Sequence, residues 1–444
     1  MLSIGKESRE YLGRLANNVE EKTDMIERGL ENQALPKTED GRIKIVELGT
    51  GGGESLRRLR DISAKEGNID LLGVDILPAV AASVKEKLGI ETIAADASML
   101  PFPDSSLSGV NASSVFHEIS SYGARGPEGA VVYGKEAIIA VLSELDRVLI
   151  PGGMVAYRDM LAPAGDRQQA KEVLYKQESW HLFAEWFLHD FSRAEPAFYS
   201  GSAATMNRVP EGFSLNAPIG LQREIQRHYL MFRDYLRNES EAFGIEIERS
   251  SWLKETEGLK SITFSAAERW KEAVGRYGFE SYGSSQRRMY RGDSDKFDAL
   301  YDELIETAFK MSASGEPGGE AYKKLFDAWK KREGSEHYIY GNVADLLRLS
   351  VRAGVQKGNG YVLFPESSRD IAVAPRYYYN RYLAKVADNP EKDGKQMIAF
   401  KKIPKREVPA ALEALAGSDP AREVLGDIGL SELQQEARTL FDNS

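Results

Sequence analysis

Hydrophobic and polar positions in residues 41–161 predict short buried strands that alternate with amphipathic helices. Short, largely apolar runs are typical of parallel strands covered on both faces, and apolar positions three and four apart are typical of helices packed on a sheet. The predicted strands are 43–48, 69–74, 91–95, 107–113 and a fifth that ends at 159. The predicted helices are 8–32, 56–66, 77–87 and 135–147. This alternation predicts an α/β fold with a doubly wound sheet.

A glycine-rich turn follows the first predicted strand. Gly49, Gly51 and Gly53 remove side chains where the backbone must turn sharply or approach a ligand, and the next helix points free N–H groups at that ligand. The dinucleotide fingerprint G-x-G-x-x-G fails, because Glu54 stands where its last glycine belongs. The pattern E-x-G-x-G-x-G fits instead, beginning at Glu47.

Downstream residues narrow the choice of ligand. Asp75 ends the second strand, from where a carboxylate can reach the ribose of a nucleoside, although helix capping is the alternative. Asp96 and Ala97 open a run that continues to Leu-Pro-Phe-Pro-Asp, and a Pro-Gly-Gly turn at 151–153 precedes the fifth strand. With these motifs the chain resembles the class I S-adenosylmethionine-dependent methyltransferases.

The resemblance implies a Rossmann-like sheet with strand order 3-2-1-4-5-7-6, its seventh strand antiparallel, and S-adenosylmethionine as cofactor. The resemblance implies that Glu47 belongs to the glycine motif, that Asp75 contacts the ribose and that Asp96 contacts the adenine amino group. The expected cofactor-binding residues are Glu47, Gly49, Thr50, Gly51, Gly53, Asp75, Ile76, Asp96, Ala97, Ser113 and Ser114.

Candidate catalytic residues follow the fourth and fifth strands, at the edge where ligands bind in open α/β sheets. We expect a loop here in which His117 is a general base and Glu118 orients it, since an imidazole titrates near neutrality; packing or helix capping is the alternative. Tyr122 is a weaker candidate. Arg158 and Asp159 either bind a substrate carboxylate or pair with each other.

The last pieces of the sheet are predicted far along the chain. A helix at 342–354 and strands at 361–364 and 396–400 complete the sheet, which leaves a large, mainly helical insertion after the fifth strand. The predicted helices within the insertion are 171–191, 221–238, 265–277 and 295–311. The expected domains are an N-terminal helical lid at 1–40, the cofactor core at 41–161, the insertion at 162–335, the completed sheet at 336–403 and a helical tail at 404–444.

Composition restricts the reaction classes. The 444 residues carry a formal net charge of −10, which disfavours a nucleic-acid partner, and no cysteine, which excludes thiolate metal sites and methyl transfer through a covalent cysteine. His181 and His189 are too far apart to suggest a metal site. No apolar run is long enough to span a membrane, so we expect a cytoplasmic protein. The sequence is compatible with either a monomer or a homodimer.

The predicted activity is methyl transfer to a small molecule. Two alternatives remain at this point. One is a non-methylating use of the same cofactor, by aminocarboxypropyl transfer or cyclisation, which releases methylthioadenosine. The other is methylation of RNA or protein, for which the tyrosine- and arginine-rich stretch 375–382 could form a docking surface.

Overall fold

The computed structural model describes residues 19–126, 129–161, 167–191, 204–248, 261–283, 288–316, 318–339, 341–357, 360–371, 378–416 and 435. The start of the predicted N-terminal helix, residues 375–377 of the tyrosine-rich stretch and nearly all of the tail after 416 lie outside these residues. The helices are α1 Val19–Glu31, α2 Glu54–Glu66, α3 Pro78–Leu88, α4 Phe116–Tyr122, α5 Gly134–Val148, α6 Glu178–Phe191, α7 Ile219–Asn238, α8 Ser240–Phe243, α9 Lys271–Arg276, α10 Ser294–Ser314, α11 Gly319–Glu333, α12 Val343–Lys357, α13 Tyr378–Val386 and α14 Val408–Ala416.

The strands belong to a seven-stranded sheet, two four-stranded sheets and a short hairpin. They are β1 Ile43–Leu48, β2 Ile69–Asp75, β3 Thr92–Ala94, β4 Leu107–Ser113, β5 Ala124–Arg125, β6 Val131–Val132, β7 Leu149–Asp159, β8 Ala170–Tyr175, β9 Thr205–Val209, β10 Gly212–Pro218, β11 Ile245–Ile247, β12 Ser261–Ala266, β13 Glu280–Gly283, β14 Arg288–Asp293, β15 Tyr361–Asp370, β16 Ala387–Asp388 and β17 Gln396–Pro404.

The chain divides into two compact units. The first contains Met1–Gly165, Glu336–Ile371 and Gly394–Ser444, and the second contains Asp166–Ser335 and Ala372–Asp393. From the sequence we placed all of 336–403 in the core. The structure instead groups Ala372–Asp393 with the second unit, because β16 pairs with β8 and Tyr382 is buried beside Trp180.

The first unit is built on the seven-stranded sheet, whose order is β3-β2-β1-β4-β7-β17-β15. Numbered along the chain, its strands therefore lie in the order 3-2-1-4-5-7-6, and β17 is antiparallel to both of its neighbours. The strands β1, β2, β4 and β7 are parallel, so their carboxyl ends share one edge. The residues that directly follow these four strands therefore lie along the same edge of the sheet.

Helix boundaries in the first unit follow local backbone chemistry. Helix α2 ends at Gly67 and α3 at Gly89, both in the left-handed conformation that glycine adopts without strain. Pro78 begins α3, where its missing N–H costs nothing. Residues 116–122, which we expected to form a loop, form helix α4 instead. Its first turn carries His117.

The second unit has helices around an aromatic core, together with two antiparallel sheets that the sequence did not predict. Their orders are β16-β8-β10-β9 and β11-β12-β14-β13. The predicted helix at 171–191 was wrong in its first part, which forms β8, and the predicted helix at 265–277 begins as the end of β12. Edge and half-buried strands lack the continuous apolar run that marks a central parallel strand.

Candidate active site

The turn between β1 and α2 requires its glycines. Gly49 and Gly53 have φ angles of 72° and 82°, in the left-handed region. A Cβ atom on Gly49 would lie 3.0 Å from a methyl group of Val115, and one on Gly53 would lie 3.0 Å from a methyl group of Leu88. The backbone therefore passes where no side chain fits, with helix α2 beginning directly after it.

Asp75, at the end of β2, is bonded to this turn. Its Oδ2 accepts the N–H of Gly51 at 3.2 Å and the hydroxyl of Thr50 at 3.3 Å, and its Oδ1 accepts the N–H of Leu77 at 3.0 Å. Burial raises the pKa of Asp75. Helix α3 has Leu77 as its N-cap and no side-chain capping bond, so Asp75 does not take the capping role named as the alternative. The ribose role stays a prediction.

The segments that follow β2 and β3 carry both apolar and polar side chains. Ile76 after β2 and Met99 after β3 are 48% and 54% exposed, unusual for large apolar side chains. In the segment after β3, the carboxylate of Asp96 accepts the N–H of Ser98 at 2.9 Å and its hydroxyl at 2.7 Å. The Ser98 hydroxyl also accepts the backbone N–H of Arg125, which ties the β5–β6 hairpin to this position.

Glu47 is a buried acid on β1. Its carboxylate accepts the side-chain amide N–H of Asn111 on β4 at 2.6 Å. Burial raises the pKa of Glu47 to about 8, although Asn111, the charge of Lys22 and Ser55 act in the opposite direction. Burial, followed by the charge of Arg158, lowers the pKa of Lys22 on α1 to about 8. An acid and an amine with displaced pKa values thus face each other at this edge.

Arg158 joins three elements at the same edge. Its guanidinium donates to Ser114 at 2.9 Å and to Ser113 at 3.4 Å, and it forms an ion pair with Glu21 of α1. Ser114 has a φ of 58°, a strained value for a residue with a side chain. The sequence did not point to Glu21 or Lys22, because neither belongs to a motif.

Asp159 orients His117. The ring Nδ1 of His117 lies 2.8 Å from Oδ1 of Asp159, and the backbone N–H of His117 donates to Oδ2 at 3.0 Å. From the sequence we gave this orienting role to Glu118, and we considered a pair between Arg158 and Asp159. Adjacent residues of a strand point to opposite faces, so Arg158 and Asp159 find different partners. Glu118 adds its charge to those that act on His117 and Asp75.

Glu336 reaches the other side of His117, which sequence reasoning missed. Its Oε2 lies 3.7 Å from Nε2 of His117, and its Oε1 accepts the hydroxyl of Tyr122 at 2.9 Å. Burial favours the neutral ring, but the charges of Asp159, Glu336 and Glu118 raise the pKa of His117 to about 9. No sequence signal marks Glu336, since Tyr122 and Glu336 are 214 positions apart.

The described residues contain no group of three or more histidine, aspartate or glutamate side chains placed to hold a metal ion. Within the same ranges, no helix has both the length and the apolar character that crossing a membrane requires.

Residues 46–157 match a family model described as a methyltransferase domain. No curated protein matches the chain. The solved structures that resemble it include the CMeT domain of the citrinin polyketide synthase, at 15% identity over 32% of this chain and 35% of that one, with a TM-score of 0.26. The present chain thus spans about a third of that protein's length.

Two further structures match over most of their own length. A SAM-dependent methyltransferase from Aquifex aeolicus is 18% identical over 46% of this chain and 95% of that one, with a TM-score of 0.26. A candidate sarcosine dimethylglycine methyltransferase from Galdieria sulphuraria is 12% identical over 86% and 85%, with a TM-score of 0.31.

The matched range includes the glycine turn, Asp75, Asp96, the end of β4 and all of β7 except its last two residues. Residues 46–157 therefore contain a methyltransferase domain, for which S-adenosylmethionine is the cofactor.

Proposed function

We propose that this protein, as an S-adenosylmethionine-dependent methyltransferase, methylates a small-molecule acceptor. The observation that carries the proposal is the convergence, at one edge of the sheet, of the glycine turn bonded to Asp75 and the buried acid–base group around His117. The first part suits the binding of a nucleoside, and the second suits the removal of a proton from a bound acceptor.

The residues at this edge fit the cofactor. The carboxylate of Glu47 suits the ammonium group of the methionine part, and Asp75 suits the ribose hydroxyls. The exposed side chains of Ile76 and Met99 suit the two faces of the adenine ring, beside the carboxylate of Asp96. Lys22 and Arg158 add positive charge for the methionine carboxylate.

Methyl transfer requires little of the protein beyond the alignment of the acceptor with the methyl donor. When bound, S-adenosylmethionine supplies a methyl group that its sulfonium already activates. The site must hold the acceptor in line for SN2 displacement, keep water out and accept the proton that a hydroxyl or amine acceptor loses. The buried group that joins His117, Asp159, Glu336 and Tyr122 is the one we propose for that last task.

A small molecule is favoured over nucleic acid by charge. The chain carries a net charge of −10, and binding to a phosphate backbone requires a basic surface. The second unit is inserted after β7, and we propose that its residues decide which acceptor is methylated.

An untargeted metabolite screen tests the proposal. Purified protein and S-adenosylmethionine are incubated with a cell extract of small molecules, and products are sought that gain one methyl group. We expect such a product together with S-adenosylhomocysteine. Methylthioadenosine instead would indicate aminocarboxypropyl transfer or cyclisation. Salt-sensitive methylation of an RNA fraction, with no small-molecule product, would contradict the proposal.

A further inference from the structure

Four polar side chains form a continuous chain from the interior of the first unit to its accessible part. Asp159 and His117 are buried, 1% and 5% exposed, and they are joined through Nδ1. Glu336, wholly buried, follows on the Nε2 side of the ring. Tyr122 is the outermost member, half-buried, and its hydroxyl donates to Glu336.

The geometry places His117 between two carboxylates. Asp159 on β7 faces Nδ1 and Glu336 faces Nε2, while Glu118 on its own helix adds a further negative charge and the ring of Tyr338 packs 5.0 Å away. Such surroundings favour an imidazolium. A ring that already carries both protons cannot remove another one, so it cannot act as the general base in this arrangement.

Glu336 is the member of the chain that contacts both the ring of His117 and the phenol of Tyr122. One of its oxygens faces the cationic ring, and the other accepts from the phenol of Tyr122. Glu336 is also the first residue of the first unit after the long insertion. The hydrogen bond between the His337 N–H and Ser121, at 2.8 Å, ties this returning segment to helix α4.

We propose that Glu336 is a positioning residue of the methyl-transfer site, which receives through the Tyr122 hydroxyl the proton that the acceptor loses. This inference rests on the proposed methyl transfer. It assigns Tyr122 as the group that touches the acceptor and His117 as the fixed cation behind Glu336.

The step balances as follows for a hydroxyl acceptor. An oxygen lone pair of the acceptor forms the new bond to the methyl carbon, and the carbon–sulfur bond breaks with its electron pair going to sulfur. The acceptor's proton moves to the oxygen of Tyr122, whose own proton moves to Oε1 of Glu336. The products are the methyl ether, S-adenosylhomocysteine and a protonated Glu336, which then returns its proton to solvent through Tyr122.

One experiment reads the charge of His117 without any acceptor. The chain has only five histidines, so carbon-13 labelling of histidine gives few signals, and His117→Gln assigns the one that disappears. In the protein saturated with S-adenosylhomocysteine, we expect the His117 signal to report an imidazolium at pH 7.5. Glu336→Gln should move its titration to lower pH. A neutral His117 ring at pH 7.5 would overturn the proposal.

The second experiment measures methyl transfer to an acceptor obtained from the screen. Loss of a positioned proton acceptor typically costs 10²–10⁴-fold in rate, so we expect Glu336→Gln to lower kcat by roughly that factor. Binding of S-adenosylhomocysteine should stay unchanged, Tyr122→Phe should give a similar loss, and Glu336→Asp should restore part of it. Wild-type kcat in Glu336→Gln would refute the role. A screen that yields no methylated product would instead refute the proposed function, and the histidine titration, which needs no acceptor, would still test the charge of His117.

Discussion

Oδ1 of Asp159 lies 2.8 Å from Nδ1 of His117, and Oδ2 of the same carboxylate accepts the His117 backbone N–H at 3.0 Å. One side chain on β7 therefore fixes both the ring orientation and the start of helix α4. Because both residues are buried, the ion pair stabilises the fold only while the ring is charged.

This pair predicts a loss of stability in alkali. The pKa of His117 is raised from its usual 6.5 to about 9 in the folded protein, so the stabilisation is complete below pH 6.5 and is lost as pH rises through 9. We expect the free energy of unfolding of the wild type, relative to His117→Gln, to fall by up to about 3 kcal/mol between pH 6 and pH 10. Urea unfolding of both proteins across this range measures the difference. A difference that does not change with pH would contradict the charged pair.

A glycine substitution separates backbone strain from cofactor binding. Gly49→Ala and Gly67→Ala both place a side chain at a positive φ, which costs roughly 1–2 kcal/mol. Only Gly49 also lacks space, since its Cβ would lie 3.0 Å from Val115, whereas nothing lies within 4 Å at Gly67. We expect Gly49→Ala to lose most binding of S-adenosylhomocysteine by calorimetry and Gly67→Ala to retain it. Equal affinities would argue against a cofactor at this turn.

Local signals explain why much of the first unit was predictable. The bounds of β1 and β4 agree with the sequence prediction. Strand β1 is a largely apolar run, as parallel strands buried on both faces are, whereas β4 contains serines and an asparagine and was placed by the Leu-Pro-Phe-Pro-Asp motif before it. The glycine turn was predictable from the sequence because few residues other than glycine adopt a positive φ. Helix α4 was missed, because its residues carry serines and follow a strand directly.

Other features depend on contacts between distant parts of the chain. Nothing near Glu336 indicates that it meets His117, and nothing near Glu21 indicates Arg158. Strand β8 was predicted as helix, since its aromatic neighbours continue into α6 and half-buried strands have weak periodicity. Side-chain partners of this kind follow from the assembled sheet, which a one-dimensional pattern does not contain.

The buried charges of the second unit predict a large effect of one aspartate. Arg233 is buried and forms ion pairs with Asp298 and Asp302, and Tyr382 donates to Asp302 at 2.8 Å. Asp302→Ala removes one of the two carboxylates that pair with the buried guanidinium of Arg233. We therefore expect this substitution to lower the free energy of unfolding by about 3–5 kcal/mol. Asp327→Ala, in an exposed pair with Lys323, serves as control and should cost less than about 1 kcal/mol. Thermal unfolding compares the two; similar midpoints would contradict the buried network.

Replacing Asp75 is expected to weaken cofactor binding and to remove the hydrogen bonds that join this carboxylate to the glycine turn. Asp75→Ala removes a carboxylate that can accept two ribose hydroxyls, each such charged hydrogen bond contributing about 1.5–3 kcal/mol, so affinity for S-adenosylmethionine should fall at least roughly tenfold. Asp70→Ala is the matched control, because Asp70 lies on the same strand but pairs with Arg42. Calorimetry measures both variants. Unchanged affinity in Asp75→Ala would rule out the ribose contact.

Glu47 predicts that cofactor binding releases a proton. Burial raises the pKa of Glu47 to about 8 in the free protein, so the acid is mostly neutral at pH 7. An ammonium group placed beside it would favour the carboxylate and lower this pKa. Affinity for S-adenosylmethionine should therefore increase from pH 6 towards pH 8, before the cofactor's own α-amino group, with a pKa near 8, loses its charge.

Calorimetry at pH 7 in buffers of different ionisation enthalpy counts the protons released on binding. We expect release approaching one proton in the wild type and none in Glu47→Gln, which keeps the shape of the side chain but cannot ionise. Lys22→Met is the second control, because the Lys22 pKa is also about 8. Its removal takes away a charge that lowers the pKa of Glu47, so proton release should persist in that variant. Proton release that disappears in Lys22→Met and remains in Glu47→Gln would assign the linkage to the lysine and refute the contact between Glu47 and the ammonium group.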